Sequence, residues 1–119
     1  MNFEEYSKQA YSTAQYPNKG HNLVYPAIKL AGEAGETADK IGKHWRNEHG
    51  KHIFSAMSAA SYTGAQKLEL VKELGDVLWY INALAIELGV ELESIAQANI
   101  EKLAGRAERG TILSSGDNR

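Results

Sequence analysis

The sequence predicts an all-α fold of four helices. Apolar residues recur at three- and four-residue spacing through three long segments, which is the period of an amphipathic helix. No segment shows the sustained two-residue alternation of a half-buried strand. The chain has only two prolines, Pro17 and Pro26, so long helices are favoured. We therefore expect a four-helix bundle.

The first helix is predicted over residues 2–15, "NFEEYSKQAYSTAQ". Asn2 is a suitable N-cap, and Glu5 stands three residues later, the position that completes a capping box. The stretch "YPNKGHN", residues 16–22, breaks this helix.

The second helix is predicted from about Leu23 to about Arg46. Asn22 can cap it, and Pro26 falls in the first turn, where a missing N–H does no harm. The residues expected to form its buried stripe are Leu23, Ala27, Leu30, Ala34, Ile41 and Trp45.

Residues 47–64 show no sustained period and are predicted to be a long connection, with one helical turn near residues 53–60. Thr63 and Gln66 form the capping box that begins the third helix, and Gly89 is predicted to follow its end. The expected buried stripe of this helix is Leu70, Leu74, Val77, Ile81, Leu84 and Leu88.

The fourth helix is predicted from about Glu91 to Arg106, and residues 107–119 form a polar tail, expected either to be flexible or to cover a substrate. The apolar stripe of the fourth helix is Leu92, Ile95, Ala96 and Leu103. Val71, Leu78 and Ala85 make the third helix apolar on more than one side. We therefore expect the bundle to be completed by homo-oligomerisation, as a homodimer or a homotetramer.

Composition excludes several classes of protein. The length of 119 residues suits a single domain, residues 1–119. A net charge of −2 and the lack of a basic stripe argue against nucleic-acid binding. The absence of cysteine excludes a disulfide framework and a thiolate metal site. The start of the chain is unlike a signal peptide, and no apolar run is long enough to span a membrane, so we predict a cytoplasmic protein.

Two acidic pairs break the rules for a stable helix. Glu33 and Glu36 lie three residues apart on the second helix, as do Glu73 and Asp76 on the third, and each pair brackets a glycine. Like charges at this spacing and glycines within a helix are both destabilising. If the two helices pack side by side, the four carboxylates converge, and the glycines allow the backbones or a ligand to approach closely. The alternative is a solvated face with Lys29–Glu33 and Glu36–Lys40 ion pairs.

Converging carboxylates are stable only around a hard cation, which turns their repulsion into attraction. Ligands that are all oxygen suit Mg²⁺, with Mn²⁺ as a substitute. We therefore predict that Glu33, Glu36, Glu73 and Asp76 are metal ligands.

Three segments together resemble the MazG-type family of all-α nucleoside triphosphate pyrophosphohydrolases. "LAGEAGETADKI" resembles the first motif of that family, and "ELVKELGDVLWYINALAIELGVELE" resembles the second. "ANIEKLAGR" resembles the later Asn–Lys–Arg stretch. Two departures stand out: Gly32 replaces a second glutamate that often precedes the first motif acid, and the gap between Glu36 and Glu73 is longer than usual.

The resemblance implies Mg²⁺-dependent cleavage of a nucleoside triphosphate between the α- and β-phosphates, giving a nucleoside monophosphate and pyrophosphate. Bound cations activate water and neutralise the departing pyrophosphate. Glu36 or Glu33 is expected to take the proton of the attacking water. Alternatives are a dUTPase- or dCTPase-like enzyme, a phosphoribosyl-ATP pyrophosphohydrolase-like enzyme, or a non-catalytic helical interaction module.

Substrate-binding residues are predicted on the third and fourth helices and in the tail. Tyr80, one turn beyond Asp76, is a candidate to stack on the base, whereas Trp45 and Trp79 are expected in the core. Asn99, Lys102 and Arg106 share a face and are expected to contact phosphates. The residues expected to read a base edge are Asp117, Asn118 and Arg119, and this favours a purine deoxynucleotide such as dGTP.

Overall fold

The structure is a computed structural model that describes residues 1–48 and 57–117. A short 3₁₀ helix, Ala59–Ser61, precedes the third of four α-helices, and no strand occurs in the described ranges. The α-helices are α1 (Phe3–Tyr11), α2 (Val24–Glu48), α3 (Gly64–Glu87) and α4 (Leu92–Glu108). The predicted all-α fold is confirmed, and no described helix is long and apolar enough to cross a membrane.

Local chemistry fixes the helix ends where the sequence predicts them. At the start of α1, the Asn2 side chain accepts the N–H of Glu5 at 2.8 Å, and the Glu5 carboxylate accepts the N–H of Asn2 at 3.1 Å. Thr63 and Gln66 form the same reciprocal box at the start of α3. Gly89 follows α3 with a φ of +70°, a conformation that glycine adopts without strain.

The first helix is shorter than predicted, because α1 ends at Tyr11. The hydroxyl of Thr13 donates to the carbonyl of Ala10 at 2.7 Å, and the N–H of Ala14 donates to the carbonyl of Tyr11 at 3.0 Å. Serine and threonine hydroxyls that bond to nearby carbonyls compete with the helical pattern, and here they close the chain into a turn.

The helices α2 and α3 run antiparallel and contact each other along their length. The rings of Tyr25 and Tyr80 lie 6.5 Å apart at one end, and Lys40 pairs with Glu73 in the middle. At the other end His44 reaches Ser61, just before α3. The helices α1 and α4 pack against α3 and against each other, so α3 is the centre of the fold.

The core of one chain is small. One cluster in it consists of Ala14, Tyr16 and Ala83, with Tyr11 and Trp79 packed against them, and Ala85 and Leu92 are also buried. The indole N–H of Trp79 lies 3.0 Å from both the Ala10 carbonyl and the Thr13 hydroxyl. This cluster joins α3 to the connection between α1 and α2.

The predicted buried stripes are only partly covered in a single chain. The prediction is wrong for most of the α2 stripe, where only Leu30 is half-buried, whereas four of the six residues of the α3 stripe are half-buried. Ile41 and Trp45 on α2 are 45% and 42% exposed, and Leu74 and Leu88 on α3 are 55% and 60% exposed. The physical reason is the arrangement of the helices: α1 and α4 cover α3, and the apolar faces of α2 and part of α3 remain accessible. The radius of gyration is 17.6 Å, against about 13.5 Å for a compact domain of this length.

A candidate metal and nucleotide site between α2 and α3

Three carboxylates converge where the middle of α2 meets α3. Glu33, Glu73 and Asp76 each place one oxygen within 4.8 Å of the other two. Glu33 and Glu73 are half-buried, and Asp76 is exposed. We call these residues the carboxylate cluster. The structure thus brings together three of the four predicted metal ligands, and Glu36 is exposed outside the cluster.

The rotation of α2 explains why Glu36 differs. Half-buried residues at Glu33, Thr37, Lys40 and His44 mark the line of α2 that faces α3. This line follows the three- and four-residue spacing of a helix face, and Glu36 lies one residue off it. On α3, Glu73 and Asp76 are both turned towards α2.

Two lysines serve as cations beside the cluster. The ammonium of Lys29 lies 3.3 Å from Glu33, and that of Lys40 lies 2.6 Å from Glu73. These hydrogen bonds raise the pKa of Lys29 and of Lys40. Of the two ion pairs considered from the sequence, Lys29–Glu33 is present. Lys40 instead pairs with Glu73 on α3 and not with Glu36.

The donor set of the cluster fits a hard divalent cation. All of its ligand atoms are carboxylate oxygens on two helices, and an ammonium already occupies a position beside Glu73. Mg²⁺ and Mn²⁺ prefer such oxygen ligands, and Mg²⁺ is commonly held by a few carboxylates together with substrate phosphates.

The glycines near the cluster border open space. A Cβ placed at Gly32, Gly35 or Gly75 would meet no atom within 4 Å. The expectation that these glycines allow the helix backbones to approach closely is therefore wrong within one chain.

An aromatic cleft of about 600 Å³ adjoins the cluster, with Glu33 and Asp76 among its lining residues. The rings that line it are those of Tyr16, Tyr25, Trp79 and Tyr80. The Tyr16 and Tyr25 rings stack at 5.5 Å, and those of Trp79 and Tyr80 lie 4.8 Å apart. The structure thus places Tyr80 beside the carboxylates, and Trp79 both joins the core and lines the cleft.

Burial and neighbouring groups raise the pKa values of two tyrosines near the cluster. Burial raises the pKa of Tyr80, and the neighbouring Tyr25 raises it further. Burial and the negative charge of Asp76 together raise the pKa of Tyr6 on α1. These hydroxyls therefore remain neutral hydrogen-bonding groups at neutral pH.

Glu87, at the end of α3, holds one wall of the cleft. The sequence analysis did not identify it as a site residue. Its carboxylate accepts the Tyr16 hydroxyl at 2.5 Å, the N–H of Gly20 at 2.8 Å and the N–H of Asn22 at 3.0 Å. The bond from Tyr16, with the two backbone bonds, lowers the pKa of Glu87. The sequence contains a signal that could have identified Glu87, because it is the one charged residue in the apolar stretch "INALAIELGV".

The predicted phosphate ligands form a separate group with the tail. Arg106 is buried, and its guanidinium lies 3.0 Å from the carboxylate of Asp117, which Lys102 approaches at 3.4 Å. The bond from Arg106 lowers the pKa of Asp117. Asn99 is exposed on α4. Two further predicted contacts, Asn118 and Arg119, lie outside the described residues.

Comparison with known proteins agrees with this architecture. Residues 26–111 match the family model of the MazG nucleotide pyrophosphohydrolase domain. The chain is 39% identical to the Gene 37 protein of Mycobacterium phage L5 over 124 aligned residues, covering 100% of both chains. It is 35% identical over 96 residues to the uncharacterized protein YvdC of Bacillus subtilis (strain 168), covering 78% of this chain and 86% of that one. No solved structure matches the chain.

Proposed function

The chain belongs to the MazG nucleotide pyrophosphohydrolase family, and we propose that it hydrolyses nucleoside triphosphates to nucleoside monophosphate and pyrophosphate with Mg²⁺. One observation carries the proposal: the carboxylate cluster of Glu33, Glu73 and Asp76 opens onto a cleft with aromatic walls. A metal-binding edge and a stacking surface are the two elements that a nucleotide site needs.

Electrostatics explains why a metal is required. A triphosphate is strongly negative, and it cannot approach converging carboxylates unless cations lie between them. When bound, Mg²⁺ (or Mn²⁺ in its place) supplies that charge neutralisation and lowers the pKa of a water molecule for attack on the α-phosphorus. Glu33, Glu73 and Asp76 would hold the ion between α2 and α3.

Glu36 suits a different role from the cluster residues. It is exposed one turn beyond Glu33 and lies off the line that faces α3. We assign Glu36, before Glu33, as the group that accepts the proton of the attacking water, because it is not committed to the cluster.

The aromatic cleft is the proposed base site. Tyr25 and Tyr80 offer ring faces for stacking, and the Gln15 amide in the same cleft offers both a donor and an acceptor to a base edge. The volume of about 600 Å³ accommodates the larger bases. We therefore propose a purine deoxynucleoside triphosphate, such as dGTP, as the preferred substrate.

The tail and α4 are proposed to supply further contacts to the substrate. Asn99, Lys102 and Arg106 would bind phosphate oxygens, and residues 117–119 would contact the base. The ion pairs that Arg106 and Lys102 form with the carboxylate of Asp117 support a role for these two side chains in binding an anion. Deleting residues 114–119 should reduce selectivity among purine nucleotides; unchanged selectivity would remove the tail from the site.

Self-association is also part of the proposal. Large apolar side chains are exposed on α2 and α3, among them Ile28 at 67% and Val71 at 60%, and exposed apolar surface favours association. We propose that a homodimer or homotetramer buries them. Sedimentation equilibrium would give the stoichiometry, and a monomer at micromolar concentration would contradict this.

The test of the activity is a product assay with the eight standard ribo- and deoxyribonucleoside triphosphates and Mg²⁺. We expect monophosphate and pyrophosphate, and loss of both with Glu73→Gln or Asp76→Asn. Glu101→Gln, an exposed residue of α4, is the matched control and should retain full turnover. Selectivity for uracil or cytosine would favour the dUTPase- or dCTPase-like alternative. No turnover of these nucleotides or of phosphoribosyl-ATP would overturn the proposal.

A further inference from the structure

A second cavity lies at the other end of the groove between α2 and α3. It has a volume of about 260 Å³. Among the side chains that line it are Lys40, Lys43, His44, Tyr62 and Gln66. We call it the distal cavity. Tyr62 belongs to the long connection between the two acidic motifs and Gln66 follows it, so the cavity adjoins the part of the sequence that departs from the family pattern.

The wall of the distal cavity is ordered by direct contacts. The imidazole of His44 stacks on the ring of Tyr62 with 3.8 Å between centroids, and its Nε2 lies 2.9 Å from the hydroxyl of Ser61. These contacts attach the segment before α3 to the last part of α2. Lys43 adds an ammonium at the rim, where it pairs with Asp39 at 2.5 Å.

Lys40 links this cavity to the carboxylate cluster. Its ammonium is 2.6 Å from Glu73, a member of the cluster, and its side chain also lines the distal cavity. A divalent cation and the ammonium compete for the same carboxylate, and the double charge favours the metal. The flexible lysine side chain can then turn into the adjoining cavity, which it already lines.

The order of features along the groove matches the order of groups in a nucleoside triphosphate. The aromatic cleft comes first, then the cluster, then the distal cavity. Glu33 and Lys40 lie about 10 Å apart along the axis of α2. A nucleotide with its base among the tyrosines and its α-phosphate at the cluster therefore points its terminal phosphates towards Lys40.

We propose that the distal cavity binds the departing pyrophosphate, and that metal binding at the cluster releases Lys40 from Glu73 to hold it. This inference rests on the proposed function. Glu48 and Glu69 also line the cavity and repel an anion. Pyrophosphate should therefore bind only when Mg²⁺ is present and Lys40 is free.

Lys40→Met tests the exchange, because the two halves of the proposal predict opposite effects. Removing the competing ammonium should tighten Mn²⁺ binding, measured by calorimetry or electron paramagnetic resonance. Removing the phosphate ligand should weaken the binding of pyrophosphate with Mg²⁺ by about tenfold. Lys67→Met, at an exposed position in the first turn of α3, makes the same charge change and should alter either constant by no more than about twofold.

The outcomes test the exchange of Lys40 and the binding of pyrophosphate separately. Loss of both affinities, or no change in either, overturns the exchange. Lys40→Gln, which can still hydrogen-bond to Glu73, replaces Lys40→Met if that variant does not fold. A wild-type protein that hydrolyses nucleotides but does not bind pyrophosphate with Mg²⁺ contradicts the cavity alone. Pyrophosphate binding that depends on Lys40, without turnover of any nucleotide, supports the cavity and contradicts the proposed function.

Discussion

The hydroxyl of Tyr16 donates a 2.5 Å hydrogen bond to the carboxylate of Glu87, which lies 71 residues further along the chain. The same carboxylate accepts the N–H groups of Gly20 and Asn22. One side chain at the end of α3 therefore bonds to three residues of the connection between α1 and α2. Because Tyr16 also lines the aromatic cleft, this attachment shapes the proposed base site.

Glu87→Gln should weaken the fold. The amide keeps an acceptor oxygen but loses the charge that strengthens the bonds from Tyr16 and the two N–H groups. We expect the free energy of unfolding in urea to fall by about 1–2 kcal/mol. Glu108→Gln, at the exposed end of α4, is the control and should change it by less than about 0.5 kcal/mol. Equal effects of the two substitutions would show that the Glu87 bonds contribute nothing.

The same carboxylate gives the fold a specific acid sensitivity. The pKa of Glu87 in the folded protein lies below its ordinary value of 4.5. Its contribution is therefore complete above that value and is lost as the pH falls towards the folded pKa. The difference in unfolding free energy between wild type and Glu87→Gln should be constant from pH 7 to 6 and should shrink below pH 4.5. A difference that does not vary with pH would contradict the assignment.

Asp76→Asn should change thermal stability in opposite directions with and without bound metal. Without metal it removes one of the converging negative charges, so the melting temperature should stay the same or rise slightly. With Mg²⁺ at a hundred times its dissociation constant, wild type should gain about 2.7 kcal/mol. The variant should lose most of this gain. Differential scanning fluorimetry across a Mg²⁺ titration measures both effects, and an equal gain in the two proteins would place the metal elsewhere.

Glu36→Gln should separate catalysis from metal binding. Since Glu36 lies outside the carboxylate cluster, the variant should bind Mn²⁺ nearly as tightly as wild type. Loss of the proton acceptor should lower kcat by about 10²–10⁴-fold. Glu73→Gln should instead weaken Mn²⁺ binding directly. A Glu36→Gln variant that loses metal affinity as fully as Glu73→Gln would make Glu36 a ligand rather than the base.

Features encoded over short stretches of the chain could be predicted from the sequence. The caps at Asn2, Thr63 and Gly89 depend on residues three or fewer positions away, and the structure confirms them. The helical period and the near-absence of proline predicted the fold class. The two acidic pairs identified the elements that meet at the site.

Features that depend on how helices rotate and pack could not be predicted in this way. Spacing places Glu33 and Glu36 on one face, but the packing of α2 on α3 turns only Glu33 into the cluster. Apolar periodicity shows which faces avoid water, but it does not say whether the same chain covers them. Tyr16 lies in an aperiodic connection, and contacts with residues distant in sequence, such as the bond to Glu87 and the packing against Trp79, bring it to the cleft.

Hydrolysis of the preferred nucleotide in water enriched in ¹⁸O, with mass spectrometry of both products, shows which phosphorus atom the water attacks. Attack on the α-phosphorus beside the carboxylate cluster predicts one ¹⁸O atom in the nucleoside monophosphate and none in the pyrophosphate. Label in pyrophosphate, release of orthophosphate, or the absence of any turnover would contradict the account.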